Sequence, residues 1–233
     1  MKYNELKKNY PEPPETAYTP NEINSLIQKY ATPYKELMSY YRCAMMEVET
    51  KFRVLNEELS LEYDRNPIER IRTRLKSIES IAEKLSSRGY PLTVESMEKN
   101  LNDIAGVRVI CGFPSDIYEL SDAFLRQDDV VLLEKKDYLA NPKRNGYRSL
   151  HLIIEIPIFL ADEKWMVKVE VQLRTIAMES WANLEHKIRY KKNLSGETLM
   201  LTDDLMNECA QMSSLLDQKM QQIRKIVENT SAL

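Results

Sequence analysis

Trp165-Met166-Val167-Lys168-Val169-Glu170-Val171-Gln172-Leu173-Arg174 alternates apolar and polar side chains from Val167 to its end. Successive side chains of a strand point to opposite faces, so period two marks a strand with one face in a core. Trp165, Val167, Val169, Val171 and Leu173 make the apolar face, and Lys168, Glu170, Gln172 and Arg174 the polar one. Such strands are common in antiparallel sheets with a solvated side. The rest of the chain decides whether these four polar residues are merely hydrated.

Upstream, Ala161 to Lys164 reads as a hairpin connection. The strand before it, Leu150 to Ile156, puts Leu150, Leu152, Ile154 and Ile156 on one face and His151 and Glu155 on the other. Two more strands are expected at Val107–Cys111 and Val130–Tyr138, with a helix between them from Pro114 to Arg126, capped by Ser115. Asn66-Pro67 is expected to open a helix that buries Ile71, Leu75, Ile78, Ala82 and Leu85 and ends at Gly89. Its exposed side carries Arg70, Arg72, Arg74, Lys76, Lys84 and Arg88. On that helix Lys76, Ser80 and Lys84 would share a face. A short helix runs from Glu95 towards Asp103.

Downstream, Thr175 to Lys191 reads as a helix with Ile176, Trp181, Leu184 and Ile188 buried. Residues 197–228 form one or two amphipathic helices with no obvious place in the sheet's core, so a role against a partner helix stands at least level with packing inside the chain. At the other end, residues 1–20 hold four prolines and read as a flexible arm. A helical period then runs from Asn21, as cap, to Leu59, with a kink or break at Pro33. The expected organisation is an arm at 1–20, one domain at 21–195 and a C-terminal helical segment at 196–233.

Composition removes several function classes. Charged residues make up 30% of the 233 positions, yet the net charge is only −3, so no global nucleic-acid footprint exists and any anion must meet local basic clusters. RNA is left open as a partner without being indicated. No apolar run approaches the roughly 20 residues that span a bilayer, and the first residues lack a signal-peptide core. Cys43, Cys111 and Cys209 are odd in number and far apart, which fits a reducing cytoplasm rather than a disulfide framework. With only His151 and His186 there is no multi-histidine metal site, and no glycine-rich phosphate loop is present. Phosphates, if bound, must be held by side chains.

Asp103 precedes one strand and Glu170 lies on the polar face of another. Two carboxylates brought together by a sheet suit Mg²⁺, which takes oxygen ligands and fills its other positions with water or substrate phosphate. Arg74, Lys76, Lys84, Lys143 and Arg144 suit polyphosphate, and Tyr147 offers a ring on which a base can stack. Together they point to phosphoryl-group chemistry on a nucleotide, where catalysis is positioning and charge stabilisation.

Five motifs now occur in order: Arg74-Leu75-Lys76 with Ser80 and Lys84; Asp103-Ile104-Ala105-Gly106-Val107-Arg108; Asn141-Pro142-Lys143-Arg144-Asn145-Gly146-Tyr147-Arg148-Ser149-Leu150-His151; Glu170-Val171-Gln172-Leu173-Arg174; and Trp181-Ala182-Asn183-Leu184-Glu185-His186. This set resembles the synthetase domain of the RelA/SpoT family, and the chain length resembles its small, stand-alone alarmone synthetases. The resemblance implies an α+β fold, a mixed sheet of about four or five strands flanked by helices and related to nucleotidyltransferases. It implies transfer of pyrophosphate from ATP to the 3′-hydroxyl of GDP or GTP, giving AMP and (p)ppGpp for stringent-response signalling, with no hydrolase activity. Carried over by motif, Arg74 and Arg108 would hold adenine, and Lys76, Ser80 and Lys84 the ATP phosphates. Asp103 and Glu170 would bind Mg²⁺, Glu170 also activating the 3′-hydroxyl. Tyr147 would stack on guanine, Lys143, Arg144 and His151 would meet the acceptor's 5′-phosphates, and Gln172 and Arg174 would support the site.

Two positions depart from the family pattern. Nine residues after Glu170, where relatives place Asn or Asp towards guanine, this chain has Glu179, whose carboxylate accepts hydrogen bonds from guanine all the same. Where product-activated members carry Phe-x-Thr, it has Arg70-Ile71-Arg72, so weak or absent product activation is expected. The family's synthetases are typically homotetramers built through helices, which gives the 196–233 segment a task. The competing expectation is a catalytically inactive nucleotide- or RNA-binding regulator on the same fold.

Overall fold

The computed structural model describes residues 20–63, 65–189 and 196–231. The expected N-terminal arm lies outside the described residues, apart from Pro20. In chain order the elements are α1 (Pro20–Tyr63), β1 (Ile68–Leu75), α2 (Ile78–Ser87), α3 (Val94–Asn100), β2 (Ala105–Cys111), α4 (Pro114–Leu125), β3 (Val131–Asp137), β4 (Leu150–Phe159), β5 (Lys164–Thr175), α5 (Ile176–Arg189) and α6 (Gly196–Ser231). The strands form one mixed sheet in the order β1-β2-β5-β4-β3. Only β2 and β5 run parallel; the other neighbours are antiparallel.

The alternating strand is the centre of this sheet, with β2 on one side and β4 on the other. Its apolar face does enter the core: Val167, Val169, Val171 and Leu173 are buried, with Leu150, Leu152, Ile154 and Ile156 of β4 beside them. Helix α1 lays Leu37, Tyr41, Ala44, Val48, Phe52 and Leu55 on this face at helical spacing. Helix α4 joins it, and Phe52 stacks on Phe124 with ring centroids 4.5 Å apart. Helix α1 begins at Pro20, one residue ahead of the expected Asn21 cap, and continues through Pro33 without the expected break.

The structure corrects the sequence reading at three points. Residues 68–75 are a strand, not the opening of a helix. Arg70, Arg72 and Arg74 alternate with Ile71, Thr73 and Leu75, a strand period, and β1 satisfies its backbone by pairing with β2. Helix α2 starts only at Ile78, capped by Ser77, whose hydroxyl accepts from the Ser80 amide at 3.3 Å. Ser115 does not cap α4; Phe113 is the N-cap residue, and its amide donates to the Asp116 carboxylate at 3.1 Å. In α5 the expected buried residues Ile176, Leu184 and Ile188 are exposed, and only Trp181 of that set is buried, together with Met178 and Glu179. The C-terminal segment is a single long helix packed against α5 and α4 of its own chain, while its apolar side chains stay exposed.

Candidate functional site

Cross-strand register builds the site on the polar face of the sheet, because directly paired residues share a face. Arg72 of β1 pairs with Arg108 of β2, Arg108 with Gln172 of β5, and Gln172 with His151 of β4. The neighbouring row runs Arg74, Gly106, Glu170. Gly106 puts no side chain between the arginine and the carboxylate. A cleft of about 490 Å³ opens there, lined among others by Arg74, Lys76, Asp103, Gly106, Arg108 and Glu170.

Asp103 sits at one wall, just ahead of β2. Its Oδ2 accepts from both Lys76 and Lys84, the latter at 2.6 Å. Lys76 precedes α2 and Lys84 lies in its last turn, so the two cations converge without sharing a helix face. Burial pushes the Asp103 carboxyl up, but the two ammonium groups outweigh it and hold it below its ordinary value. The other oxygen, Oδ1, is buried with no hydrogen-bond partner. An unsatisfied buried carboxylate oxygen on a residue that lines a cleft fits a hard cation. Among the described residues no group of three or more His, Cys, Asp or Glu side chains is placed to hold a metal by itself. A carboxylate pair completed by substrate phosphate and water is the arrangement that these residues fit.

Glu170 is held in a closed polar ring. His151 Nδ1 lies 3.1 Å from Glu170 Oε1, and His151 Nε2 lies 2.9 Å from the Tyr147 hydroxyl. Gln172 donates to Glu170 Oε2 at 3.0 Å, and Arg174 donates to Gln172 Oε1 at 2.8 Å and to the Tyr147 oxygen. A guanidinium never accepts, so the phenol oxygen is the acceptor there and its proton is free for His151 Nε2. With a neutral imidazole this leaves its single N–H proton on Nδ1, aimed at Glu170. Burial raises the Glu170 carboxyl, but the His151 and Gln172 bonds prevail and keep it below its ordinary range. Burial pushes the Tyr147 hydroxyl up despite Arg174, so it stays a proton donor.

Glu179 is a hub rather than an open acceptor. It takes Arg108 on Oε1 at 3.0 Å and the buried Arg174 on Oε2 at 3.0 Å, with Asn183 also on Oε1 at 3.0 Å. Arg72 approaches to 3.6 Å. Burial works against the charge of Glu179, yet Asn183 and the arginines hold its carboxyl below the ordinary value. Arg108, expected at adenine, and Arg174, expected at the acceptor, therefore share one counter-ion.

The loop between β3 and β4 closes the site over the ring. Its turn is held by Lys143 N to Tyr147 O at 3.1 Å and Gly146 N to Lys143 O at 2.8 Å. The Lys143 ammonium lies 4.8 Å from the Tyr147 ring centre and 4.6 Å from that of Tyr138. Arg144 is exposed on this loop, and the Ser80 hydroxyl accepts from that of Ser77 at 3.2 Å. Lys168 turns to α3 and donates to the Glu98 carbonyl at 3.2 Å, fastening that helix to the sheet. The structure thus brings together Asp103, Lys76 and Lys84 at one wall, and Tyr147, His151, Glu170, Gln172, Arg174, Glu179 and Arg108 at the other. Arg72, Asn183 and Arg148 carry contacts that sequence reasoning left without a role. Asn183 was signalled by its i, i+4 spacing from Glu179, and Arg72 by its alternation with Arg74.

A mixed five-stranded sheet with flanking helices and a cation-rich cleft on its polar face defines the class, an α+β domain built to hold an anionic ligand. The model of the region found in RelA / SpoT proteins matches residues 73–195. The chain is 45% identical over 195 residues to the GTP pyrophosphokinase YwaC of Bacillus subtilis (strain 168), covering 84% of this chain and 92% of that protein. It is 34% identical over 193 residues to the GTP pyrophosphokinase YjbM of the same organism, covering 82% and 89%. Among solved structures, small alarmone synthetase 2 from Bacillus subtilis matches with a TM-score of 0.73 at 41% identity, over 82% of this chain and 98% of that one. Small alarmone synthetase 1 from the same species, bound to its product pppGpp, matches with a TM-score of 0.74 at 30% identity, over 84% and 99%. The chain belongs to the RelA/SpoT family.

Proposed function

We propose that this chain is a stand-alone alarmone synthetase, which transfers the pyrophosphoryl group of ATP to the 3′-hydroxyl of GDP or GTP and has no hydrolase activity. The observation that carries the reading is the juxtaposition in one cleft of Asp103, with its orphaned oxygen and two lysines, and of Glu170 in its ring. Lys76 and Lys84 stand where ATP phosphates would take over from Asp103 as their partners, and Arg74 and Arg108 line the adenine end. Tyr147 and Lys143 would face guanine and its 5′-phosphates, with Arg144 reaching from the loop.

The ionised Glu170 takes the proton of the 3′-hydroxyl. The sugar oxygen bonds to the β-phosphorus of ATP, the bond from that phosphorus to the bridging oxygen on the α side breaks, and AMP leaves. His151 and Gln172 fix which lone pair of Glu170 meets the hydroxyl, so the geometry is prepaid before the substrates arrive. Mg²⁺ brought with ATP would be held by Asp103 and Glu170 and would neutralise phosphate charge.

The test is incubation of the purified chain with labelled ATP and GDP, followed by thin-layer chromatography. AMP and a 3′-pyrophosphorylated guanosine nucleotide are expected in equal amounts, and Glu170→Gln should lower turnover at least about a hundredfold. Nucleotide binding with no new guanosine species would favour the inactive regulator instead.

The same reading treats residues 21–195 as the synthetase unit and 196–233 as an assembly segment for a cytoplasmic homotetramer. Its supports are the exposed apolar side chains of α6 and the fact that no described helix is long and apolar enough to cross a membrane. Product activation is proposed to be weak, since Arg72 of the departing motif is drawn towards Glu179.

A further inference from the structure

Helix α6 is docked by the side that sequence patterning would leave in water. Its contacts with its own chain come from Met206, Ala210, Ser214, Asp217, Gln221 and Arg224, steps of three and four that trace one face of a helix. The upper half of this face touches the acceptor loop and the structure beneath it. A Cβ on Gly146, whose φ is +81°, would lie 2.3 Å from the Ala210 Cβ, so the loop backbone rests directly on the helix. Arg148, two residues further along, donates to the Ser214 hydroxyl and, at 3.3 Å, to the Leu139 carbonyl at the other root of the loop.

Below the loop, Thr175 follows Arg174, the residue that holds the Tyr147 hydroxyl. Its hydroxyl accepts from the Met178 amide at 3.1 Å at the start of α5 and donates to the buried Asp217 carboxylate at 2.8 Å. The Trp181 indole donates to the Met206 carbonyl at 3.2 Å, closing the contact. Tyr147 is thus bracketed by two attachments to the same helix, one through Gly146 and Arg148 and one through Thr175.

We propose that α6 is a brace for the acceptor side of the site, with Ala210, Ser214 and Asp217 acting as positioning residues that set Tyr147 for the guanosine substrate. None of the three lines the nucleotide cleft; each acts through Gly146, Arg148 or Thr175. The proposal rests on the reading of this loop as the acceptor site. Arg148 is only half-buried, so losing its Ser214 partner leaves the fold standing but frees the loop to sample positions in which Tyr147 is displaced, and affinity falls by the fraction of time the loop is misplaced.

The experiment measures steady-state constants for both substrates on the full chain, together with the thermal midpoint. Ser214→Ala and Ala210→Val are each expected to raise the KM for GDP about fivefold or more while the KM for ATP stays within about twofold. The midpoint should move by no more than about 4 °C, and Ser214→Thr, which restores the hydroxyl, should restore the GDP value. Unchanged GDP constants in both folded variants, or GDP and ATP constants rising together, would overturn the brace. If the wild-type chain makes no product, the synthetase reading falls, and the brace is then judged by calorimetric GDP titration of wild type against Ser214→Ala. Equal GDP affinities, or no GDP binding by the wild type, would overturn it there too.

Discussion

Tyr147 poses the sharpest question at the residue scale, since it can serve as a stacking surface, as a link in the Glu170 ring, or as both. Its hydroxyl accepts from Arg174 and reaches His151 at 2.9 Å, while its ring is approached by Lys143. Tyr147→Phe keeps the ring and removes the link, so kcat should fall about tenfold with the KM for GDP held, whereas Tyr147→Ala should lose both. A Phe variant with normal kcat would reduce the residue to a platform. The carboxylates make a second prediction. Asp103, Glu170 and Glu179 are all held below their ordinary values by donors that overcome burial. A folded-state value below the unfolded one adds stability above the unfolded value and loses it as pH falls through the folded one. The thermal midpoint should therefore hold between about pH 7 and about pH 5 and decline below about pH 4. Glu179→Gln should make that acid decline shallower; an unchanged slope would show that its arginine pairs contribute nothing to folding.

At the scale of elements, β1 and β2 show how a sheet turns local pattern into a site. The strand period of Arg70, Arg72 and Arg74 was present in the sequence, but Ile71, Leu75 and Ile78 fit a helical stripe equally well. Pairing with β2 decides between them, because only a partner strand supplies hydrogen bonds to the extended form. Gly106 sits between Arg74 and Glu170 in this pairing. A Cβ there would meet the Arg74 carbonyl at 3.5 Å and the Glu170 carbonyl at 4.0 Å, ordinary contacts. Gly106→Val should therefore fold as well as the parent, since β-branched residues suit strands. Its two methyl groups would fill the cleft floor and raise the KM for ATP at least about tenfold. Loss of folding, or an unchanged KM, would refute this view of the glycine.

For the whole molecule, the exposed apolar side of α6 is a surface still to be accounted for. Met212, Leu216 and Ile223 are exposed at 67%, 54% and 52%, on a helix whose small and polar face is already docked in its own chain. Burying one such side chain is worth about 1.5–3 kcal/mol, so a few of them at a subunit contact decide an assembly. Light scattering on the purified chain should give a tetramer, and Leu216→Glu with Ile223→Glu should dissociate it while leaving the α6 contacts to Arg148 and Thr175 in place. A monomeric parent would remove the assembly role of the segment.

The central strand, its two faces, β4 beside it and the five ordered motifs were legible from the residues alone, because period two and motif spacing are local properties. So was the meeting of Asp103, just ahead of one strand, with Glu170, on the polar face of another, which the sheet brings to one cleft. Three features were not legible. The convergence of Lys76 and Lys84 on Asp103 depends on where α2 packs. The role of Glu179 as a shared counter-ion depends on arginines 71 and 5 residues away in sequence meeting across the sheet. The docking of α6 by its polar side ran against its amphipathic pattern, because burial of that face is secured by specific hydrogen bonds to Arg148 and Thr175 rather than by apolar area. Local periodicity is written in neighbouring residues. The partner of a charge and the side on which a helix docks depend on residues far along the chain, and only the folded sheet brings those together.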